Sequence, residues 1–425
     1  MTKNSDSISE ERISGKITST VYSLRVEDFL VGAQMLFVAF GALVLVPILV
    51  GLDPNVALLT SGLGTICFQL VTGGKVPVYL ASSFAFIAPI SLSVEKYGLP
   101  ETLSGLAAAG VVYLVLSLIV FWGGSALIMR VLPPIVTGPV IMVIGLSLAP
   151  TAVKMASEAT EAYSETTAIG VALVSLLGTI LTTILAQGFL RLIPILAGIT
   201  TGYLVSLLLG LINFTAVTQA PWVEIPSFTT PTVHLPAILF ILPVAIAPAI
   251  EHIGDVLAIS SVTGNNYLRE PGIHRTLLGD GIATTLAACL GGPPNTTYSE
   301  VTGAVALTKA FNPGIMTWSA LTAILLSFFG KLGAILQTIP VPVMGGILVV
   351  LFGTIVVIGM NTMIQAREDL LQPRNLVIVS AILILGVGGM SLKAGAFALE
   401  GIGLSSIFGV LLNLCLPRVN YGKDS

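Results

Sequence analysis

Charge is what this chain has least of. Asp, Glu, Lys and Arg make up 9% of its 425 residues, against 55% apolar residues and a mean hydropathy of +0.99. Soluble domains carry about 25% charged residues, so nothing marks a soluble second domain. Histidine is as scarce: His234, His252 and His274 lie in three different segments, with no HExxH and no Ser/His pairing in a common segment, which speaks against an intramembrane enzyme. Three cysteines, Cys67, Cys289 and Cys415, all fall inside apolar runs, where each reads as a small hydrophobe rather than a disulfide or metal ligand. No metal site and no cofactor follows from these residues. A net charge of −3 without a basic cluster leaves no nucleic-acid partner. The N-terminal stretch MTKNSDSISEERISGK lacks the apolar core of a signal peptide, so insertion falls to the first span.

What the chain does have is apolar runs. They recur from Phe29 to Leu416, and roughly fourteen can be counted at about 20 residues per crossing, two of them defective. The expected class is an all-α, multi-pass membrane protein with the lipid bilayer as its solvent. All eighteen Lys and Arg except Lys96, Lys154, Lys331 and Lys393 fall in one set of alternate loops. Positive residues gather on the cytoplasmic side, so both termini are expected there, in the cell (inner or plasma) membrane.

The chain also repeats itself. LLTSGLGT at Leu58 to Thr65 answers to LLGDGIAT at Leu277 to Thr284, an offset of 219 that carries Gly73 onto Gly292. SSF at Ser82 to Phe84 answers to TTY at Thr296 to Tyr298, an offset of 214; PIVTGPVIMVIG at Pro134 answers to PVMGGILVVLFG at Pro342, an offset of 208. Three matches in one order describe a duplication. A first copy of seven crossings forces the second into the membrane upside down. The expected layout is a tail at 1–27, a first inverted repeat at 28–213 (spans 1–7), an extracellular loop at 214–235, a second repeat at 236–417 (spans 8–14) and a tail at 418–425.

The defective runs are the third and tenth, KVPVYLASSFAFIAP from Lys75 and PNTTYSEVTGAVALTK from Pro294. Neither is long enough to cross as a full helix at 1.5 Å per residue. Each reads as a short strand feeding a half helix, beginning near Phe84 and near Ser299, so that two helix N-termini converge near mid-membrane. Glu300 sits at that point. In the eighth run, Glu251 and Asp255 are four apart and share a helix face. Intramembrane acids mark ion or substrate pathways. Two of them so close cannot comfortably both ionise, so Glu251, Asp255 and Glu300 are candidate proton-coupling groups. His252 points about 100° away from Glu251 and reads as a packed residue. Asp280, matched by Ser61 in the repeat, is open between structural hydrogen bonding and function.

Carboxyl groups that accept N–H bonds, free backbone N–H groups that donate to carbonyl oxygens, and aromatic rings that cover a flat face suit a small planar ring with alternating N–H and C=O groups. An inorganic anion is poorly suited to two acids.

The motifs EHIGD, REPGIHR, GGPPNTTYSE, EVTGAVALTK and IPVPVMGGILVVLFG resemble those of the nucleobase–ascorbate transporter family (the nucleobase:cation symporter-2 group), in particular its bacterial uracil permeases. In EVTGAVALTK, Glu300, Gly303, Thr308 and Lys309 stand in the signature's register, while Val301 replaces its Asn. The resemblance implies a proton-coupled nucleobase symporter importing uracil by alternating access, with a core and a gate domain each built from both repeats, and a homodimer. It implies that Glu251 and Glu300 bond the base, that Phe84 lends its backbone and ring and Ser299 a main-chain amide, and that Tyr298, Ala42 and Ser83 complete the site. Asp255, where uracil permeases tend to have His, and Phe352, where they often have Tyr, leave xanthine or another purine as the alternative cargo. An anion exchanger of the same architecture is the more distant one.

Overall fold

The computed structural model describes residues 19–394 and 397–417. The expected C-terminal tail, 418–425, and the first eighteen residues of the N-terminal tail lie outside them.

Helices dominate, and their ends follow the sequence. α1 (Phe29–Val50) stops at Gly51 and α2 (Pro54–Thr72) at Gly73, both glycines in the left-handed conformation that ends a helix without strain. Asp53 caps α2 by accepting the Asn55 N–H at 2.8 Å, with Pro54 in the first turn. β1 (Leu80–Ser82) leads through a 3₁₀ turn (Phe84–Phe86) into α3 (Ile87–Tyr97). α4 (Leu99–Val131), α5 (Pro134–Ser157), α6 (Glu165–Leu185) and α7 (Pro194–Leu208) complete the first half.

After the short helices Thr215–Gln219 and Leu235–Ile241 come α8 (Ile246–Thr263), α9 (Ile273–Leu290), β2 (Asn295–Thr297) and α10 (Ser299–Thr308). α11 (Gly314–Ser327) bends by 85° into α12 (Gly330–Gln337), beside Lys331, which the sequence places in a loop. α13 (Val341–Gln365), α14 (Pro373–Val387), the hairpin β3 (Ser391–Ala394) and β4 (Phe397–Glu400), and α15 (Gly401–Cys415) follow.

Among the described residues seven helical stretches are long and apolar enough to cross a membrane, or eight with the bent pair counted as one; α7, α14 and α15 are shorter apolar helices. Length and apolar composition thus account for seven or eight crossings, not for the expected fourteen.

Both defective runs are strand-plus-helix elements, and they meet. β1 pairs antiparallel with β2, Leu80 opposite Thr297, Ala81 opposite Thr296 and Ser82 opposite Asn295. The strands are buried, so their backbone groups outside the pairing need partners. Thr65 on α2 accepts the Leu80 N–H at 3.0 Å, and Thr284 on α9 donates to the Asn295 carbonyl at 2.7 Å. These are the two threonines that close the matched octapeptides. The glycine match is off by one: α9 is one residue shorter than α2, and the left-handed cap falls on Gly291, not Gly292.

Matched helices also pack together, α2 on α9 and α5 on α13. In the second pair Gly138 faces the Gly359 carbonyl, where a Cβ would come within 2.7 Å; only glycine allows so close an approach.

Candidate functional site

α8, α10 and the β1–α3 junction converge on one cavity of about 470 Å³, within the range of small-molecule sites. Glu251 and Asp255, one turn apart on α8, line it together with Glu300 in the first turn of α10. Phe84, Tyr298 and Ser299 line it from the two strand-to-helix junctions. The geometry follows from the short strands: three paired residues bring two junctions side by side, and α8 packs against β2 and α10.

The acids differ in what they touch. Asp255 is buried and both its oxygens accept hydroxyls, Oδ1 from Ser299 and Oδ2 from Thr297 Oγ1 at 2.9 Å. Glu251 Oε2 is buried with no hydrogen-bond partner among the described residues, and the Tyr298 hydroxyl shares that condition. Buried polar atoms are almost always bonded, so two unpartnered ones beside a cavity point to a ligand's polar edge. Glu300 occupies a helix N-terminus, where first-turn N–H groups have no intrahelical acceptor. The rings pack as a cluster: Phe84 lies 6.1 Å from Tyr298 and 6.1 Å, edge-on, from Phe352.

The structure thus brings Glu251, Asp255, Glu300, Phe84, Tyr298 and Ser299 together. Ala42, on α1, and Ser83 are fully or almost fully buried and are not among the residues lining this cavity. His252 is not merely packed. It is fully buried with Nδ1 3.4 Å from Asp280 Oδ2 and 3.3 Å from Thr297 Oγ1. Sequence reasoning also missed Asn361, Thr362 and Gln365, which line the cavity from the end of α13. Their spacing within one turn of an apolar helix was the available signal.

Among the described residues no group of three or more His, Cys, Asp or Glu side chains is placed to hold a metal ion. A second cavity, of about 260 Å³ between α3, α5, α14 and α15, carries no ionisable side chain in its lining.

Comparison with known proteins agrees with this architecture. Residues 27–395 match a family described as a permease family, that of the xanthine and uracil permeases. A probable uracil permease of Haemophilus influenzae is 54% identical over 394 residues, covering 93% of this chain and 95% of its own. The uracil permease of Bacillus subtilis is 43% identical over 397 residues, 91% of each chain. That of Escherichia coli is 38% identical over 389 residues, covering 91% of this chain and 90% of its own. Among solved structures, the transmembrane domain of a cyanobacterial bicarbonate transporter superposes with a TM-score of 0.64 at 15% identity, covering 91% of this chain and 96% of its own, a likeness of fold alone.

Proposed function

The chain belongs to the nucleobase–ascorbate transporter family of multi-pass membrane permeases, and from that premise we propose that it imports uracil together with a proton. The observation that carries this reading is the shared cavity of Glu251 and Glu300 under the Phe84 and Tyr298 rings. Uracil is a flat ring with two N–H groups and two carbonyls. Glu251 Oε2 and Glu300 accept the N–H groups, the first-turn N–H groups of α10 and the Tyr298 hydroxyl donate to the carbonyls, and an aromatic ring covers a face. Relatives named uracil permeases, alike over nine-tenths of the chain, support the cargo.

The acids carry the proton. Three carboxyl groups lining one cavity resist simultaneous ionisation, so at least one takes up a proton, which travels with the neutral base. Asp255, with both oxygens committed to hydroxyls, acts through the position and protonation of its neighbours; Glu251 and Glu300 face the base.

Alternating access follows from the repeat. We read residues 28–213 and 236–417 as inverted copies, each contributing to a core around the paired strands and to a gate around α5 and α13. An offset of 214 exchanges the pair Ala81–Thr296 with Asn295–Ser82, as a two-fold axis between the strands requires. The cavity runs from the acids to exposed residues at the ends of α8 and α13, Ser261 and Gln365, on the side of Arg130, Arg269 and Arg367. If positive residues mark the cytoplasm, the site faces inward and both termini are cytoplasmic. A homodimer completes the reading.

The test is uptake of radiolabelled uracil into liposomes holding the purified protein, with the interior made alkaline or left balanced. Accumulation only under the gradient is the expected outcome. Exchange of sulfate or bicarbonate without proton movement would replace this reading with the anion exchanger that the fold likeness also allows.

A further inference from the structure

A chain of buried polar groups runs away from the cavity, and the transport reading leaves it without a task. It starts at Asp280 on α9, passes to His252 on α8, crosses to Thr297 on β2 and returns to Asp255 on α8, which also accepts from Ser299 at the start of α10. Every side chain but Ser299 is at most 3% exposed. The contacts have a direction. Thr297 has one hydroxyl hydrogen, and at 2.9 Å it goes to Asp255 Oδ2. Its oxygen is then left to accept, and the donor in reach is His252 Nδ1, 3.3 Å away. The same Nδ1 lies 3.4 Å from Asp280 Oδ2, so one N–H is shared between the two oxygens as a three-centre bond. His252 Nε2 is buried with no acceptor in reach, which assigns the ring hydrogen to Nδ1.

We propose that His252 is a positioning residue for the base site: held by Asp280, its Nδ1–H orients the Thr297 hydroxyl, which with Ser299 fixes Asp255 against the first turn of α10 and so sets Glu300 opposite Glu251. Thr297 is the last residue of β2, and Tyr298, Ser299 and Glu300 follow it directly. A strand of three residues has few backbone bonds to hold its end. The hydroxyl of Thr297, beside that of Ser299, therefore tethers the start of the helix that carries Glu300 to Asp255. Losing the His252 N–H leaves Thr297 free to turn its hydrogen elsewhere, and the Asp255 carboxyl, only 3% exposed, then loses the hydroxyl donor that fixed Oδ2. His252 is not among the residues lining the cavity, so its effect on binding passes through Thr297.

The proposal deepens the transport reading, and its test separates the two by using whichever of uracil and xanthine the unaltered protein binds. Equilibrium binding is measured calorimetrically on detergent-purified full-length protein, beside size-exclusion profile and melting temperature. An asparagine amide N–H overlies imidazole Nδ1, whereas a glutamine amide reaches the Nε2 position. His252→Asn is therefore expected to keep the dissociation constant within about twofold, and His252→Gln to raise it about tenfold with the folded peak intact. Thr297→Val is expected to raise it similarly, and the double substitution Thr297→Val, His252→Gln no further, because both cut one path. Equal affinity of His252→Asn and His252→Gln would overturn the proposal, as would additive effects in the double variant. Loss of the folded peak in His252→Gln and Thr297→Val alike would assign the histidine to packing alone and overturn it too. Binding of xanthine but not uracil by the unaltered protein would correct the cargo and leave this inference to stand or fall on the same variants.

Discussion

Phe84 and Tyr298 face one another at the two strand-to-helix junctions, ring centres 6.1 Å apart and planes 33° from parallel. They are also matched residues of the sequence repeat, 214 positions apart. A flat ligand between two rings needs about 7 Å, two van der Waals contacts, so at this separation the proposed mode has a base stack on one ring rather than between both.

Removing the ring that carries the stack should be costly. Phe84→Ala is expected to weaken uracil binding about tenfold to hundredfold, the usual effect of losing an aromatic platform under a base. Tyr298→Phe keeps the ring and removes only a buried hydroxyl that has no partner in the protein; about a tenfold loss is expected if that hydroxyl bonds a carbonyl of the base. Calorimetry on the purified variants decides both, and an unchanged affinity in Phe84→Ala would take its ring out of the site.

Glu251 and Glu300 carry the base's N–H groups in the proposed mode. Glu251→Gln substitutes an N–H for one of two acceptor oxygens on a half-buried side chain whose buried Oε2 has no other partner, so uptake is expected to fall to background. Glu300→Gln sits at a helix N-terminus with more freedom to reorient, and a weaker loss or a shift towards purines is expected. Uracil uptake assays in a permease-deficient host, with xanthine as competitor, measure both; full transport by the two variants would leave these carboxyls without their role.

Much of this site was readable from residue spacing. Glu251 and Asp255 are i and i+4 on a helix, and Glu300 follows a Gly-Gly-Pro-Pro run that cannot continue as a full span; each statement needs only local geometry. The strand pairing was less accessible. A strand in each defective run was readable from β-branched and aromatic residues, but only Thr296 and Thr297 fall within their strand; Val76, Val78 and Tyr79 lie just ahead of β1, and nothing in either run says that Ser82 lies opposite Asn295. The His252–Asp280 contact was invisible for the same reason: the residues are 28 apart on different helices, and a helical wheel shows only that His252 points away from Glu251. Ala42 and Ser83 came from family likeness, and the cavity wall does not include them. The bend between α11 and α12 falls beside Lys331, where the count of positive residues already places a loop; its angle of 85° was not readable.

A contact at the mouth-side loops bears on stability at low pH. Lys75, ahead of β1, lies 2.6 Å from Glu270 in the loop between α8 and α9. Its hydrogen bond and positive charge hold the Glu270 carboxyl below the ordinary carboxylate range. A depressed carboxyl favours the folded state above its unfolded value of about 4.5, and that contribution is lost as pH falls through the folded value. Both side chains are largely exposed, so the contribution is small and salt-sensitive. The melting temperature of Glu270→Gln is expected to match the unaltered protein at pH 7 in 0.5 M salt; a large drop there would mean that the loop contact is structural beyond its charge.

Asp255 separates binding from coupling. Each of its oxygens already accepts one hydroxyl, from Thr297 and Ser299, so it is a less open acceptor for the base than Glu251, with which it shares a helix face. Asp255→Asn places an N–H against one of those hydroxyls, which must turn and accept, and it fixes the side chain in an uncharged form at every pH. If the carboxyl exchanges the transported proton with its neighbours, uptake by the unaltered protein rises as the outside is acidified, and the variant gives a flatter profile while still binding uracil. Initial uptake rates from pH 5 to pH 8, read beside the dissociation constant at each pH, distinguish the cases. A variant whose profile follows that of the unaltered protein would place the moving proton on Glu251 or Glu300, and Asp255 would keep only its part in holding the start of α10.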